Sequence, residues 1–191
     1  MGDSKSEKRK LFEQEAMPHL DILFTTALYL AGDEQEANDL CQETILRAYR
    51  SFHQYTAGTN CRAWLLTILR NVFRATRARR KPDLVASTEK DFERILDREI
   101  SSNDRAWETP ETLLLKQSTD RRVQEALGKL PEDYKAALLL VFVEDLTYQE
   151  AAAVLEVPVG TVRSRIFRAR ALLRRALESF DGLRRLARAQ T

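Results

Sequence analysis

The sequence predicts an all-α protein: two small helical domains joined by a flexible acidic linker, the C-terminal one a helix-turn-helix. Three observations carry this. Apolar residues recur at three- and four-residue spacing through most of the chain, the period of a helix with one buried face. Only 6 glycines and 5 prolines interrupt 191 residues, which suits long helices and short connections. Charge comes in blocks: Gly32–Glu43 holds 5 acids and no base, Arg74–Lys81 holds 5 bases and no acid, and Pro82–Leu115 carries 9 acids against 4 bases. A formal net charge of +2 therefore hides a strongly patterned chain.

The first domain, residues 8–82, reads as successive helices. Leu20, Leu23, Phe24, Ala27, Leu28 and Ala31 form one stripe across Phe12–Ala31, with Pro18 breaking or beginning a turn of it. Asp33 with Glu36 three residues on resembles a capping box. It starts a helix reaching about Phe52, striped by Ala37, Leu40, Cys41, Thr44, Ala48 and Phe52. The stretch "HQYTAGT" interrupts the period. Asn60 caps a further helix whose apolar side holds Trp64, Leu65, Ile68, Leu69 and Val72, whose end is basic, and which Pro82 stops.

Residues 83–111 have no sustained period and a negative balance, so they read as the linker, with a short helical piece near Phe92–Ile100. The second domain, residues 112–180, regains helical spacing in "LLLKQSTDRRVQEALGKL". Pro131 then opens "PEDYKAALLLVFVEDL" at a favourable first-turn position.

"LTYQEAAAVLEVPVGTVRSRIFRARALL" carries the helix-turn-helix. Thr147 and Glu150 form a capping box for a short helix, Tyr148–Leu155; "EVP" breaks it and Pro158 opens the next. At ~100° per residue, Val162, Ile166, Ala169 and Leu173 line up as a packing stripe. Gly160, Arg163, Ser164, Phe167, Arg168 and Ala171 take the other side. Side chains on such a face reach base edges and thymine methyls when a helix enters a major groove. Arg163 and Arg168 suit guanine or phosphate, Ser164 suits either, and Arg165 and Arg170 project toward the flanking phosphates. An arginine-rich face is more often simply solvated. Phe167 argues against that, since a solvated face gains nothing from an aromatic among arginines. A membrane-surface helix would need a wide apolar face, which the wheel lacks. Glu156 stands where many helix-turn-helix turns have glycine, so this turn is expected to do without a residue free to take positive φ.

Several function classes are excluded. No Gly-rich phosphate loop, nucleophile elbow or His-Glu-x-x-His pattern is present, so no catalytic residue, cofactor or metal is predicted. Cys41 and Cys61 form no Cys-x-x-Cys pair, and His19 and His53 have no clustered partner, a pattern that suits a reducing cytoplasm. The charged N-terminus lacks a secretory signal, and the longest apolar run, Ala136–Val143, is too short for a membrane span, so no membrane insertion is expected.

At these motifs the chain resembles bacterial RNA polymerase sigma factors of the extracytoplasmic-function group of the sigma-70 family. "GDEQEANDLCQETILRAYRSF" resembles the family's polymerase-gripping segment, "GTNCRAWLLTILRN" with its basic run resembles the −10-reading helix, and "GTVRSRIFRAR" resembles the −35 reader. The resemblance spans roughly Phe12–Pro82 and Thr112–Leu177. It implies an alternative sigma factor, not an enzyme, that directs promoter-specific initiation and is held inactive by an anti-sigma factor until a stress signal. It implies that Asp39, Gln42 and Glu43 dock on the clamp coiled coil of core polymerase, with the flap and promoter DNA as further partners. Tyr55, Thr59, Asn60, Arg62, Asn71, Arg74 and Arg77 would receive the −10 strand, where single-stranded bases need stacking walls and a basic track. Trp64 is open between core and base contact. Tyr148 and Thr161 would join Arg163, Ser164, Arg165, Phe167, Arg168 and Arg170 at −35. A stand-alone helix-turn-helix regulator would leave the polymerase-like and −10-like segments without a purpose.

Overall fold

The computed structural model describes residues 2–80 and 121–188, and all regular structure among them is helical. The expected linker, its short helical piece, the stop at Pro82 and the start of the second domain before residue 121 lie outside the described residues.

Helix α1 (Gly2–Ala16) leads through a 3-10 turn (Met17–His19) into α2 (Leu20–Ala31). The break expected at Pro18 within Phe12–Ala31 is present, because proline has no N–H to donate and its ring crowds the carbonyl one turn back. Gly32 closes α2 at φ 76°, its N–H donating to the Leu28 carbonyl at 2.8 Å. A side chain there would carry the left-handed penalty, which glycine escapes. Asp33 then accepts the Glu36 N–H at 2.9 Å and starts α3 (Glu34–Ser51). A second 3-10 turn (Phe52–Gln54) and a short loop precede α4 (Cys61–Arg80).

The second half comprises α5 (Arg121–Gly128), α6 (Glu132–Phe142), α7 (Tyr148–Leu155) and α8 (Val159–Arg188). Pro131 sits one residue earlier than expected, at the N-cap of α6. From there its carbonyl accepts the Lys135 N–H at 2.9 Å. Pro158 does the same for α8, accepting the Thr161 N–H at 2.9 Å.

The turn between α7 and α8 corrects one expectation. Glu156 does take positive φ, 54°, although it is not glycine. Its N–H reaches the Ala153 carbonyl at 3.2 Å, and the Val157 N–H reaches Ala152 at 3.1 Å. This is the Schellman arrangement, which requires a left-handed residue whatever its type. Two satisfied carbonyls and the buried stripes on either side outweigh a penalty of about 1–2 kcal/mol for a side chain in that conformation.

Helices α2, α3 and α4 pack around Leu23, Ala27, Leu40, Ala48, Leu65 and Leu69. In the second half α8 lies across α5, α6 and α7, burying the expected stripe: Val162 0%, Ile166 3%, Ala169 0% and Leu173 1% exposed. The two cores are continuous, because α2 and α4 also pack against α6 and α7. That seam sets what each candidate surface can reach.

Candidate nucleic-acid and polymerase interfaces

The helix-turn-helix is assembled by local rules. Thr147 Oγ1 accepts the Glu150 N–H at 3.2 Å while Glu150 Oε2 accepts the Thr147 N–H at 2.9 Å. These bonds to Thr147, and one from Asn60, hold the Glu150 carboxyl below its ordinary pKa. The short α7, the Schellman turn and the buried stripe of α8 then fix which way α8 faces. Arg163, Ser164 and Phe167 point to solvent, Phe167 being 44% exposed. Ser164 Oγ donates to the Thr161 carbonyl at 2.9 Å, and the Arg163 guanidinium lies 5.9 Å from the Tyr148 ring centroid. Tyr148, Thr161, Arg163, Ser164 and Phe167 therefore form one outward surface.

Three other arginines of α8 behave differently. Arg165 pairs with Asp133 of α6 and keeps only 17% of its side chain exposed. Arg168 Nη1 lies 3.3 Å from the Tyr134 hydroxyl, and Arg170 sits 4.5 Å over the Phe142 ring. These three run along the seam with α6, where they bind the motif to its support.

In the first half an aromatic cluster supports the loop before α4. Tyr55 stacks on Phe52 with centroids 5.6 Å apart and meets Trp64 at 5.1 Å. Its hydroxyl lies 2.9 Å from both Glu15 Oε2 and the Thr59 carbonyl. Trp64 is half-buried within this cluster, so it both supports the loop and shows an edge. Thr59 Oγ1 is turned inward to the Thr56 carbonyl at 2.7 Å. Asn60 Oδ1 accepts the Ala63 N–H at 3.0 Å, the cap expected of it. Its Nδ2 donates to Glu150 Oε1 of α7 at 2.8 Å. Further along α4, Asn71 and Arg74 are exposed. Arg77 stacks 5.4 Å over Phe73 and pairs with Glu132 of α6 at 3.1 Å. Arg62 is half-buried and acts on the carboxyl groups of Glu144 and Glu150.

The third surface lies on α3. Ala37, Leu40, Thr44 and Ala48 are buried, leaving Asp39 and Gln42 exposed and Glu43 paired with Arg47 at 2.6 Å. Leu46, one turn on from Gln42 and Glu43, is 51% exposed. An acidic and amide face with one open aliphatic side chain suits a basic protein surface better than a phosphate backbone.

Residues 16–82 match the family model described as Sigma-70 region 2, and residues 120–173 match that described as Sigma-70, region 4. The chain is 36% identical over 159 residues to the ECF RNA polymerase sigma factor EcfG of Rhodopseudomonas palustris, covering 82% of this chain and 78% of that protein. It belongs to the extracytoplasmic-function group of the sigma-70 family. A second relative, RNA polymerase sigma-H factor of Pseudomonas aeruginosa, is 37% identical over 152 residues, 76% of this chain and 75% of that protein. Among solved structures, the sigma factor RpoE in complex with the anti-sigma factor NepR from Bartonella quintana superposes with a TM-score of 0.66. That match is 28% identical and covers 88% of this chain and 98% of that one. Among the described residues, no helix of this sigma factor is long and apolar enough to cross a membrane.

Sequence reasoning missed four residues of the sigma factor that lie between its halves. Lys135 is 4% exposed, and its Nζ donates to the Leu30 carbonyl at 3.2 Å. Burial first, then the charge of Arg77, pulls the Lys135 ammonium down to about 8, with Glu132 opposing. Arg70 is 7% exposed, and its Nη1 lies 3.4 Å from the Val154 carbonyl. Glu144, 3% exposed, accepts the Thr26 hydroxyl, and burial raises its pKa against the lowering effect of that bond. A signal existed. Arg70 directly follows Leu69 on the apolar side of α4, and Lys135 adjoins the run Ala136–Val143, so each charge borders a stripe that the helical period buries.

Proposed function

We propose that this alternative sigma factor binds core RNA polymerase through Asp39, Gln42, Glu43 and the neighbouring Leu46, and reads two promoter elements with separate domains. Residues 8–82 form the polymerase- and −10-binding unit, 83–111 the linker, and 112–180 the −35-binding unit. At −35, α8 enters the major groove. Arg163 bonds guanine, Ser164 either kind of base edge, Phe167 meets thymine methyls, and Tyr148 and Thr161 contact the backbone. Arg165, Arg168 and Arg170 hold α8 against α6 and add positive potential along the groove.

At −10, Tyr55 walls the strand, Thr59, Asn60 and Asn71 read exposed bases, and Arg62, Arg74 and Arg77 hold phosphates. The protein performs no chemical step of its own: RNA synthesis belongs to the polymerase, and the sigma factor contributes positioning. It works in the cytoplasm, with an anti-sigma factor as its negative partner. The observation that carries this reading is the solvent-facing trio Arg163, Ser164 and Phe167 opposite the fully buried stripe of α8.

Run-off transcription with purified core polymerase tests the whole, alongside a core pull-down. Promoter-specific transcripts are expected, and Asp39→Arg with Gln42→Ala should weaken the pull-down at least tenfold. Absence of both transcript and core binding overturns the proposal.

A further inference from the structure

Helix α1 has no part in the DNA and polymerase contacts assigned above, yet one face of it grips the loop before α4. Lys8, Phe12 and Glu15 lie at i, i+4 and i+7, so they share that face. Lys8 Nζ stands 5.0 Å over the Tyr49 ring, and the Phe12 ring meets Tyr49 and Phe52 edge-on, both at 5.2 Å. Glu15, one turn further on, reaches the Tyr55 hydroxyl. All but the last residue of α1 precede the match to region 2, which begins at residue 16.

The loop depends on that contact. Thr56, Ala57, Gly58, Thr59 and Asn60 are all exposed, with Gly58 at φ 82°. At the tip the bonds are local: the Thr59 N–H and hydroxyl both donate to the Thr56 carbonyl. Tyr55 is the half-buried side chain that ties the loop to the body, through its ring on Phe52 and Trp64 and through its hydroxyl. Aromatic pairs tolerate several offsets and tilts, so the ring contacts alone leave the ring some freedom. The hydroxyl removes it. Its single proton faces two acceptors, Glu15 Oε2 and the Thr59 carbonyl, each at 2.9 Å. The carboxylate is the stronger acceptor, so it sets where the tip of the ring lies, and the Thr59 carbonyl follows that tip. Burial first, then the bond to Glu15, pushes the phenol pKa up against the effect of the Thr59 bond, so the linking proton is retained.

We propose that Glu15 is a positioning residue for the −10 strand: by holding the Tyr55 hydroxyl it fixes the stacking wall and, through the Thr59 carbonyl, the shape of the loop that receives unstacked bases. The inference rests on the −10 assignment given above. It makes α1 part of the −10 site without any contact of its own to DNA.

The test uses holoenzyme assembled from core polymerase and the full chain. The probe is a fluorescent fork junction with a duplex −35 element and a single-stranded −10 strand. It is taken from a promoter that the unmodified holoenzyme transcribes in the run-off assay. Anisotropy follows its binding to Glu15→Ala, Glu15→Gln, Tyr55→Phe and the double variant Glu15→Ala with Tyr55→Phe. A shorter duplex that ends before −10 reads the −35 contact alone.

Glu15→Ala should weaken fork-junction binding about tenfold, the worth of one hydrogen bond to a charged group. Core pull-down and duplex −35 binding of Glu15→Ala should be unchanged. Glu15→Gln keeps an acceptor for the hydroxyl and should stay within about threefold of the unmodified chain. Tyr55→Phe should weaken binding at least as much as Glu15→Ala, and the double variant should be no weaker than Tyr55→Phe, since both changes remove one link. Glu15→Ala binding within about twofold of the unmodified chain overturns the inference. So does Glu15→Gln as weak as Glu15→Ala, a double variant weaker than Tyr55→Phe, or a loss of core pull-down in Glu15→Ala. Tyr55→Leu, which removes the wall itself, separates the two readings. If it weakens fork-junction binding while Glu15→Ala does not, the −10 assignment stands and the role of Glu15 falls. If Tyr55→Leu leaves binding unchanged, the −10 assignment falls and the inference with it.

Discussion

The two halves of this sigma factor present their candidate DNA surfaces in opposite states. On α8 the outward trio faces solvent, because the residues that brace the helix, Arg165, Arg168 and Arg170, are on its other flank. At α4 and its N-cap two of the residues that would meet DNA also meet the other half, Asn60 through Glu150 and Arg77 through Glu132. The difference teaches that a binding surface is defined by what competes for it. A double-stranded target needs only a helix held at the right angle, and α8 is held from behind. A single strand needs a groove with stacking walls and cations, and such a groove also attracts carboxylates.

This comparison can be broken at several places. The largest effect is expected from the cores. Leu69→Ala in α4 and Leu173→Ala in α8, both at 0–1% exposure, should each cost about 2–5 kcal/mol. Because the buried cluster is continuous, urea unfolding followed by circular dichroism should remain a single transition in both variants. Two separate transitions would show that the halves are held together more weakly than their shared core implies.

Next in size is Lys135. Its ammonium is held at about 8 in the folded protein against 10.5 ordinarily. The unfolded chain therefore binds the proton more readily between those values, and folded stability gains from this residue as pH rises through about 8 to 10.5. Lys135→Met, which removes the charge, should stabilise by about 2–3 kcal/mol at pH 7 and progressively less toward pH 10. Melting temperatures of the two proteins across that range check the sign. An advantage that stays constant with pH would mean that Lys135 is not buried as described.

The smallest effect concerns the turn. Glu156→Gly relieves a side chain at φ 54° and should stabilise by about 1 kcal/mol, leaving the α7–α8 angle and DNA recognition unchanged. A destabilised variant would point to a contact of the Glu156 side chain that outweighs its backbone penalty.

How much of this was legible in the sequence follows the range of the interactions. The Thr147–Glu150 box, the bounds of α7 and the buried stripe of α8 depend on residues within a few turns of one another, and spacing alone discloses them. Pro18 and Asp33 were readable for the same reason. The left-handed Glu156 was not, because a residue-type rule says glycine where the backbone rule says only that two carbonyls must be capped. The seam was the least accessible part. Asn60 and Glu150 are 90 positions apart, and nothing local announces their pairing. Yet Arg70 and Lys135, charges beside apolar stripes, carried a trace of it. Of the candidate site residues, Arg163, Ser164 and Phe167 face solvent as the helical wheel requires. Arg168, placed on that face by the wheel, and Arg165 and Arg170, placed at its flanks, turn toward α6.

The central claim is that the exposed trio on α8 chooses promoters while the polymerase contact lies elsewhere. It is tested most directly by run-off transcription with core polymerase on a cognate promoter and on one with its −35 element altered, using the unmodified protein and Arg163→Ala. The account predicts that the preference for the cognate promoter falls about tenfold or more, the discrimination expected of one bidentate arginine–guanine contact, with core pull-down unchanged. An unaltered preference in Arg163→Ala would contradict it.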